Sequence, residues 1–336
     1  MSKGKDIKIT EVALRDGSHA VAHQFTEKQV RDVTRALDDA GMHYIEVSHG
    51  DGLGGSTIQY GRSLEDELTL IEAAAEEAKQ SKIAVLLLPG IGTVHELKEA
   101  NNRGARLVRV ATHSTEADVS AQHIHYAREL GMEALGFLMM AHSVPVEKLV
   151  EQAKLMESYG AEAVYVTDSA GALTPNEVRE RIKALKNSLD IEIGFHAHNN
   201  LSLAVANTLA AIEEGATRID GSVRCLGAGA GNTQTEVLLA VMDKLGYDVG
   251  IDIYKMMDLA EDIVSPILTQ SQEITKGSLV LGYAGVYSSF LLHAERAAKR
   301  FHIDARDILI ELGKMKVIGG QEDMILDVAA NLANKK

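Results

Sequence analysis

The segment ESYGAEAVYVTD, residues 157–168, carries the pattern that decides the fold. A polar stretch with helical character ends at Gly160, and a β-branched run over 163–167 follows shortly after it. Glycine readily adopts the left-handed conformation that closes a helix, so the segment predicts a helix end followed at once by a strand. The same unit recurs in DDAGMHYIEVSH (38–49), NNRGARLVRVATH (101–113), RELGMEALGFLMM (128–140) and EEGATRIDGSV (213–223).

Apolar strand-like runs alternate with helical patterns through the first two thirds of the chain. The runs predict strands near 7–15, 44–48, 83–88, 107–112, 134–140, 163–167, 192–197 and 218–223. Eight strands alternating with helices are typical of an α/β fold of the (β/α)8 TIM-barrel type. An open doubly wound sheet shares this alternation, but no G-x-G-x-x-G motif follows the first strand. We therefore predict a barrel domain over residues 1–250.

The remainder of the chain, residues 251–336, has a different pattern. It contains helical periodicity without clear strands, as in DIYKMMDLAEDIV and SSFLLHAERAAKRF. No low-complexity or Pro-rich linker precedes it. We predict a small, all-helical C-terminal domain that packs directly on the barrel.

Helix starts are also legible. Thr174-Pro175-Asn176-Glu177 combines a capping threonine, a proline at the first helical position and a glutamate three residues after the cap. Thr26 and Gln29 form a weaker version of the same capping box. These signals predict helices that begin next to residues 175 and 27.

Composition narrows the class of protein. The chain of 336 residues is 46% hydrophobic and carries a formal net charge of −14, which argues against partners such as nucleic acid or an anionic membrane. One cysteine, Cys225, excludes an internal disulfide and favours a reducing compartment. We find neither a signal peptide at the N-terminus nor a long apolar run, so we expect a cytoplasmic protein.

Titratable side chains gather where the predicted strands end. In a (β/α)8 barrel those carboxyl ends carry the catalytic residues. Five of the eight ends contain histidine. The ends read Arg15-Asp16-Gly17-Ser18-His19, Ser48-His49-Gly50-Asp51-Gly52, Leu88-Pro89-Gly90, Ala111-Thr112-His113, Ala141-His142, Thr167-Asp168-Ser169, His196-Ala197-His198-Asn199-Asn200 and Gly227-Ala228-Gly229-Ala230-Gly231-Asn232. We predict a functional site at this rim.

The stretch GFHAHNN, residues 194–200, suggests a metal site. His196 and His198 point to the same face of a strand, because side chains alternate with a period of two. Asp16 is the best carboxylate partner, since the first strand of a closed barrel lies beside the eighth; Asp168 is the alternative. Two histidines and one carboxylate suit Mn²⁺ or Mg²⁺, with Zn²⁺ or Co²⁺ as candidates in vitro.

Neighbouring residues suggest the rest of the chemistry. Arg15 could stabilise a carboxylate or an enolate oxygen with its two parallel donors, or form an ordinary salt bridge at the rim. His19 suits a general base, although it could instead cap a helix. None of the strand ends carries lysine, so a Schiff-base mechanism has no obvious nucleophile.

Several longer motifs resemble one family. ALRDGSHAVAHQ (13–24) and the H-x-H-x-N of residues 196–200 are similar to the metal-dependent, pyruvate-handling barrels. Further motifs, spread over nearly the whole chain, resemble the class II 4-hydroxy-2-oxovalerate aldolases in particular. They are IEVSHGDGLGGSTIQYG (45–61), LLLPGIGTVHELK (86–98), RVATHSTEADVS (109–120), LGFLMMAHSVP (135–145), GAGAGN (227–232), LGYAGVYSSFLLHAE (281–295) and GGQEDMILDVA (319–329).

This resemblance implies a role for individual residues. Asp16, His196 and His198 would bind the metal, with Mn²⁺ preferred and Mg²⁺ or Co²⁺ as alternatives. Arg15 would stabilise a pyruvate enolate, and His19 would act on the substrate's 4-hydroxyl group. The remaining implied substrate contacts are Tyr287, which would reach over the barrel mouth, Ser169 at the substrate carboxylate, His196, and the aldehyde-pocket residues Leu87 and Leu88 with Pro89.

The resemblance also implies a reaction and a partner. The reaction is retro-aldol cleavage of 4-hydroxy-2-oxopentanoate, or its six-carbon homologue, to pyruvate and acetaldehyde or propionaldehyde. Such aldolases serve aromatic or steroid catabolism and pass the aldehyde by substrate channelling to an acylating acetaldehyde dehydrogenase in a heterotetramer. The C-terminal domain is the expected contact with that partner.

Three alternatives stay open on the sequence. A Claisen-type condensing enzyme that uses an acyl-CoA would share the barrel and the metal ligands; where such synthases have a glutamine after R-D-G-x, this chain has His19. A metal hydrolase with H-x-H would place the pair at the first strand instead of the seventh. An inactive scaffolding subunit would have no need of Arg15 and Asp16.

Overall fold

Eight parallel strands form a closed barrel in chain order, with the eighth strand paired to the first. The computed structural model describes residues 3–334. The strands are β1 Lys8–Glu11, β2 Tyr44–Glu46, β3 Lys82–Leu87, β4 Leu107–His113, β5 Glu133–Met139, β6 Ala163–Asp168, β7 Glu192–Ala197 and β8 Arg218–Gly221. The prediction of a (β/α)8 barrel with a helical C-terminal region is confirmed.

Helices cover the outside of the barrel and form the C-terminal region. Those around the barrel are α1 Glu27–Asp39, α2 Glu67–Glu77, α3 Val94–Asn102, α4 Ala121–Glu129, α5 Val146–Ser158, α6 Pro175–Lys186, α7 Ala204–Glu213 and α8 Thr235–Lys244. They are followed by α9 Ile253–Asp258, α10 Lys276–Ala284, α11 Phe290–Phe301, α12 Ala305–Met315 and α13 Asp323–Asn334. Among the described residues, no helix is long and apolar enough to cross a membrane.

The local signals in the sequence act as predicted. The glycines that follow α1, α3, α4, α5 and α7 all have positive φ, and they are Gly41, Gly104, Gly131, Gly160 and Gly215. Thr174 and Glu177 form a reciprocal capping box, as do Thr26 and Gln29. Each device satisfies backbone groups that a helix end leaves without partners, which fixes where the helix stops or starts.

The first strand is shorter than the predicted run over 7–15. It ends at Glu11, and Asp16 opens a 3-10 helix, Asp16–Val21. The buried carboxylate of Glu11 accepts the backbone N–H groups of Ala13 (3.1 Å) and Val223 (2.8 Å). Val12 still donates to the carbonyl oxygen of Gly221 (2.9 Å), and the Glu11 bonds then hold the turn from which Asp16 reaches the site.

Apolar side chains form three clusters. The largest lies between the strands and the surrounding helices, and it includes Met256 and Val264 from α9 and the turns that follow it. A second cluster runs from Leu281 to Ala329 within α10–α13. A third fills the barrel interior and includes Tyr165, which is fully buried.

Gly194 makes room for that tyrosine. Tyr165 and Gly194 are register partners on β6 and β7, and a Cβ atom at residue 194 would lie 2.5 Å from the tyrosine ring. We expect Gly194→Ala to lower the free energy of unfolding by about 1–3 kcal/mol, because overpacking a filled interior forces side chains off their preferred rotamers. Urea denaturation measures this change, and an unaltered midpoint would show that the ring can move aside freely.

Candidate active site

A pocket at the carboxyl ends of the strands collects the predicted residues. Arg15, Asp16, His19, His196 and His198 line it together. Leu86, Leu88, Met139, Thr167 and Ser169 form further parts of its wall, and Tyr287, Ser288 and Ser289 cover it from the C-terminal region. We call this the central pocket. The barrel thus supplies the floor and the helical domain supplies the lid.

Asp16, His196 and His198 converge in the central pocket. The Oδ2 atom of Asp16 lies 4.0 Å from Nε2 of His196 and 3.9 Å from Nε2 of His198. All three side chains are buried, and their ligand atoms lie within 4.8 Å of one another. Such spacing allows one cation to contact all three groups.

The second ring nitrogen of each histidine is already engaged. Nδ1 of His196 lies 2.8 Å from Oδ2 of Asp220, and Nδ1 of His198 lies 3.3 Å from the carbonyl oxygen of Ala228. Because both partners are acceptors, each Nδ1 carries a hydrogen, and Nε2 is the ring nitrogen that faces Asp16. Burial lowers the pKa of His198 to about 4, which keeps its ring neutral. A neutral ring is the form that can bind a metal ion.

Asp16 is held as a carboxylate. Burial opposes its ionisation, but the Arg15 guanidinium holds the pKa of Asp16 well below its usual value. Its Oδ1 atom accepts the backbone N–H of Ala228 at 3.1 Å. A Cβ atom at Gly227 would lie 2.9 Å from that same oxygen, so glycine is needed for the approach. The donor set of one carboxylate and two imidazoles fits a divalent cation.

The side chain of Arg15 is buried, and it forms ion pairs with two buried carboxylates. Its Nε atom donates to Oε2 of Glu46 at 2.6 Å, and its Nη1 atom donates to Oδ2 of Asp16 at 2.6 Å. Its Nη2 atom is buried without a hydrogen-bond partner within residues 3–334. An unpaired buried guanidinium donor is costly, so its position in the pocket points to an acceptor on a bound ligand.

His19 lies at the edge of the central pocket, against Gly50. A Cβ atom at residue 50 would come within 2.5 Å of Nε2 of His19, so glycine leaves the space for this ring. Burial lowers the pKa of His19, and the nearby Asp16 carboxylate opposes the shift. The imidazole is therefore neutral at neutral pH, which is the form that can accept a proton.

The predicted substrate contacts divide into two groups. Ser169 and Leu88 line the central pocket, and Tyr287 lies between that pocket and a neighbouring cavity of about 260 Å³. Leu87 is separated from the site, because it is fully buried in the cluster between barrel and helices. Alternation along β3 turns Leu86 and Leu88 inward and Leu87 outward.

Other rim residues serve the loops. Both carboxylate oxygens of Asp168 accept backbone N–H groups of its own loop, from Ala172 (2.9 Å) and Leu173 (3.1 Å). Asn200 donates to the carbonyl oxygen of Ala170 and to Oγ of Ser288, both at 2.9 Å. The first asparagine after H-x-H caps α7, and the second ties the barrel loops to the C-terminal domain.

Two residues with contacts at the site escaped the sequence analysis, and a third was noted only as part of a strand end. Glu46 orients Arg15, and Asp220 orients His196. Thr167 lines the central pocket, and its buried Oγ1 atom has no hydrogen-bond partner within the described chain. Glu46 in YIEV and Asp220 in RIDG could have been noticed as acidic residues inside short strand runs. A charge that is buried in a strand requires a partner, so such residues are candidates for buried ion pairs.

Comparison with known proteins identifies the family. Residues 6–263 match the HMGL-like family, and residues 272–334 match the DmpG-like communication domain. The chain is 79% identical over 332 residues to the 4-hydroxy-2-oxovalerate aldolase of Bacillus thuringiensis (strain Al Hakam), covering 99% of this chain and 97% of that protein. It is 71% identical to the 4-hydroxy-2-oxovalerate aldolase of Geobacillus stearothermophilus, covering 100% of this chain and 98% of that protein.

Solved structures share the fold at low sequence identity. The carboxyl transferase domain of Rhizobium etli pyruvate carboxylase with 3-hydroxypyruvate superposes with a TM-score of 0.84 at 16% identity, covering 98% of this chain and 61% of that one. The HMG-CoA lyase of Bacillus subtilis gives a TM-score of 0.70 at 20% identity, covering 80% and 97%. The relatives named 4-hydroxy-2-oxovalerate aldolase show that the chain is a lyase built on a (β/α)8 barrel, and three of its side chains have a spacing that fits a metal ion. The chain belongs to the HMGL-like family.

We expect one divalent cation to bind per chain at the three converging side chains. Calorimetric titration with Mn²⁺ measures this, and Asp16→Asn should abolish high-affinity binding because it removes the only charged ligand of the set. The matched control is His113→Ala, since His113 lines the neighbouring cavity and not the central pocket. Equal losses in the two variants would contradict the assignment.

Proposed function

We propose that this chain is a class II 4-hydroxy-2-oxovalerate aldolase that cleaves 4-hydroxy-2-oxopentanoate to pyruvate and acetaldehyde. The observation that carries the proposal is the convergence of Asp16, His196 and His198 in the central pocket, with an unpaired Arg15 donor beside them. The name borne by relatives at 71% and 79% identity supports it. The described lining of the central pocket includes no lysine, so a Schiff base has no nucleophile there.

Asp16 and the Nε2 atoms of His196 and His198 would hold the cation. We propose Mn²⁺, with Mg²⁺ and Co²⁺ as the comparison ions, because the ligands are one hard carboxylate and two imidazoles. When bound, the cation supplies Lewis-acid stabilisation of the negative charge that develops on the 2-oxo oxygen. With only three protein ligands, the cation would remain accessible to the carboxylate and 2-oxo oxygens of an oxoacid.

Arg15 stabilises the enolate. Its Nε and Nη1 atoms are fixed by Glu46 and Asp16, and its Nη2 atom stays available to the substrate. A donor that is already oriented costs little reorganisation when the C3–C4 bond breaks and charge moves onto the oxygen. This contact strengthens as the charge grows, so it raises the rate more than it raises substrate affinity.

His19 transfers the proton. Its neutral ring accepts the proton of the 4-hydroxyl group, and the C3–C4 bond breaks as the carbonyl of the aldehyde forms. The electron pair of that bond becomes the pyruvate enolate, and a proton returned to C3 yields pyruvate. The lowered pKa of His19 supports its role as base, since little imidazolium would be present before substrate binds.

The remaining wall residues position the substrate. We assign Ser169 to the carboxylate end and Leu88, with Leu86 and Met139, to the apolar aldehyde end. Tyr287 reaches in from the C-terminal domain, and its hydroxyl lies 3.9 Å from Sδ of Met139. An added methylene in an apolar pocket changes the free energy by only about 1–3 kcal/mol. The six-carbon homologue, which yields propionaldehyde, is therefore a second substrate under this proposal.

An aldehyde dehydrogenase partner follows from the same assignment. The match of residues 272–334 to a communication domain supports contact through the C-terminal domain, which we divide from the barrel at about residue 250 as predicted. The neighbouring cavity runs from Leu88, Met139 and Tyr287 toward Gly319 and Gly320. We propose that aldehyde passes this way to an acylating acetaldehyde dehydrogenase in a heterotetramer, within aromatic or steroid catabolism.

The decisive test is pyruvate release from racemic 4-hydroxy-2-oxopentanoate. We expect activity in the purified chain to vanish after chelation and to return with Mn²⁺, and to be missing from His196→Ala under both conditions. Activity in metal-free enzyme would contradict the metal requirement. Release of free CoA from an acyl-CoA and pyruvate, without aldolase activity, would favour the condensing enzyme.

The pH dependence of kcat/KM should follow His19. Its pKa lies below the usual value of 6.5, so the neutral base persists as the pH falls from about 8 to 6.5 and is lost only at more acidic pH. We expect a flat profile over that window and an acidic limb below it, in an assay with saturating Mn²⁺. Parallel Mn²⁺ titrations would separate this limb from metal release. A limb centred above pH 7 would exclude His19 as the group observed.

A further inference from the structure

A fully buried arginine in the barrel interior connects two residues of the central pocket, Arg15 and His196, through one carboxylate each. Arg109 lies on β4 inside the barrel and has no exposed surface. Its Nε atom donates to Oε1 of Glu46 at 2.7 Å, and Nη2 reaches the other oxygen of the same carboxylate. Its Nη1 atom forms an ion pair with Oδ2 of Asp220. One guanidinium therefore fixes two carboxylates at once.

Each of these carboxylates holds a different residue of the central pocket. Glu46 accepts from Nε of Arg15 at 2.6 Å, and Asp220 accepts from Nδ1 of His196 at 2.8 Å. The ring closes at the top, where Asp16 contacts Arg15 and faces His196. The order around the ring is His196, Asp220, Arg109, Glu46, Arg15 and Asp16.

Burying this ring of charged groups inside the barrel carries a large desolvation cost. Removing charges from water costs several kcal/mol per ion, and well-packed apolar side chains would often be as stable. The guanidinium also lies over two aromatic rings, with its central carbon 4.6 Å from the Phe137 centroid and 5.2 Å from that of Tyr165. These ring contacts and the bidentate pairing together restrict the orientation of Arg109.

We propose that Arg109 is a positioning residue that sets the metal ligand His196 and the enolate-stabilising Arg15 in one fixed relation. This inference rests on the proposed function and adds a residue to it. Through Asp220, Arg109 determines which nitrogen of His196 faces the cation. Through Glu46, it determines where Nη2 of Arg15 points. Lysine cannot replace it, because one ammonium group lacks the planar fork that spans both carboxylates.

Arg218 provides a matched control inside the same barrel. It is also buried, pairs with Glu133 and Glu192, and stacks on Tyr44 with its central carbon 5.2 Å from the ring centroid. These partners stand at the amino ends of their strands, far from the central pocket. Arg218→Lys therefore removes a comparable buried fork without touching the site.

The experiment compares Arg109→Lys with Arg218→Lys in the full chain. Calorimetry gives the Mn²⁺ Kd without substrate, and steady-state kinetics at saturating Mn²⁺ give kcat and KM. We expect Arg109→Lys to raise the Kd and lower kcat, each by at least about tenfold, as is usual when the partners of metal ligands are removed. KM should change less than kcat. Arg218→Lys should leave Kd, kcat and KM within about twofold of the wild-type values. Both variants should have a lower Tm than the wild-type chain.

Two further variants keep the test valid if Arg109→Lys does not fold. Asp220→Asn and Glu46→Gln are isosteric and alter one arm of the ring each. If Arg109 couples the arms, the kcat loss in the double variant is smaller than the product of the single losses. If the kcat loss of the double variant equals the product of the two single losses, the proposal is overturned. An Arg109→Lys enzyme with a lower Tm but an unchanged Kd and kcat would also overturn it.

The two measurements also separate this inference from the proposed function. Lack of aldolase activity in the wild-type chain would defeat the proposed function alone, because the Mn²⁺ Kd would still report whether Arg109 orients His196. Normal aldolase activity, with a Kd and a kcat insensitive to Arg109, would defeat the inference alone.

Discussion

The contact between Arg15 and Asp16 is the interaction on which the site depends. Both side chains are buried, and a carboxylate buried without a cation would take up a proton and lose its value as a ligand. The guanidinium at 2.6 Å keeps Asp16 ionised, and the same contact orients Arg15 for a substrate. Under the proposed function, one ion pair therefore prepares both a metal ligand and the group that stabilises the enolate.

Close packing around this pair explains several small residues. Gly227 lets the backbone N–H of Ala228 reach Asp16, and Gly50 leaves room for the His19 ring. His19 and the proposed metal ligands thus lie close together because glycine leaves space that a side chain would otherwise fill. The glycines at this rim are part of the site's geometry as much as its charged residues are.

Much of the architecture could be read from local patterns. The helix–glycine–strand units depend on one glycine and its neighbours, and the H-x-H pair depends only on alternation along a strand, so both were predictable. The phase of β3, which turns Leu88 inward and Leu87 outward, could not be read from a run of three leucines. The early end of β1 depends on Glu11 bonding to Val223, a contact between distant parts of the chain. The partners of Glu46, Arg109 and Asp220 likewise depend on the register of strands that are not neighbours in sequence.

The position of the site at the seam of the barrel has a consequence for how the chain matures. Asp16 and its partner Ala228 are 212 residues apart, and they meet only where β1 pairs with β8. A nascent chain that lacks β8 already contains Asp16, but it lacks the loop with Ala228 that donates to this carboxylate. The proposed metal site is therefore complete only in the closed ring of strands. Under the proposed function, a cation bound there would select closed molecules over partly assembled ones.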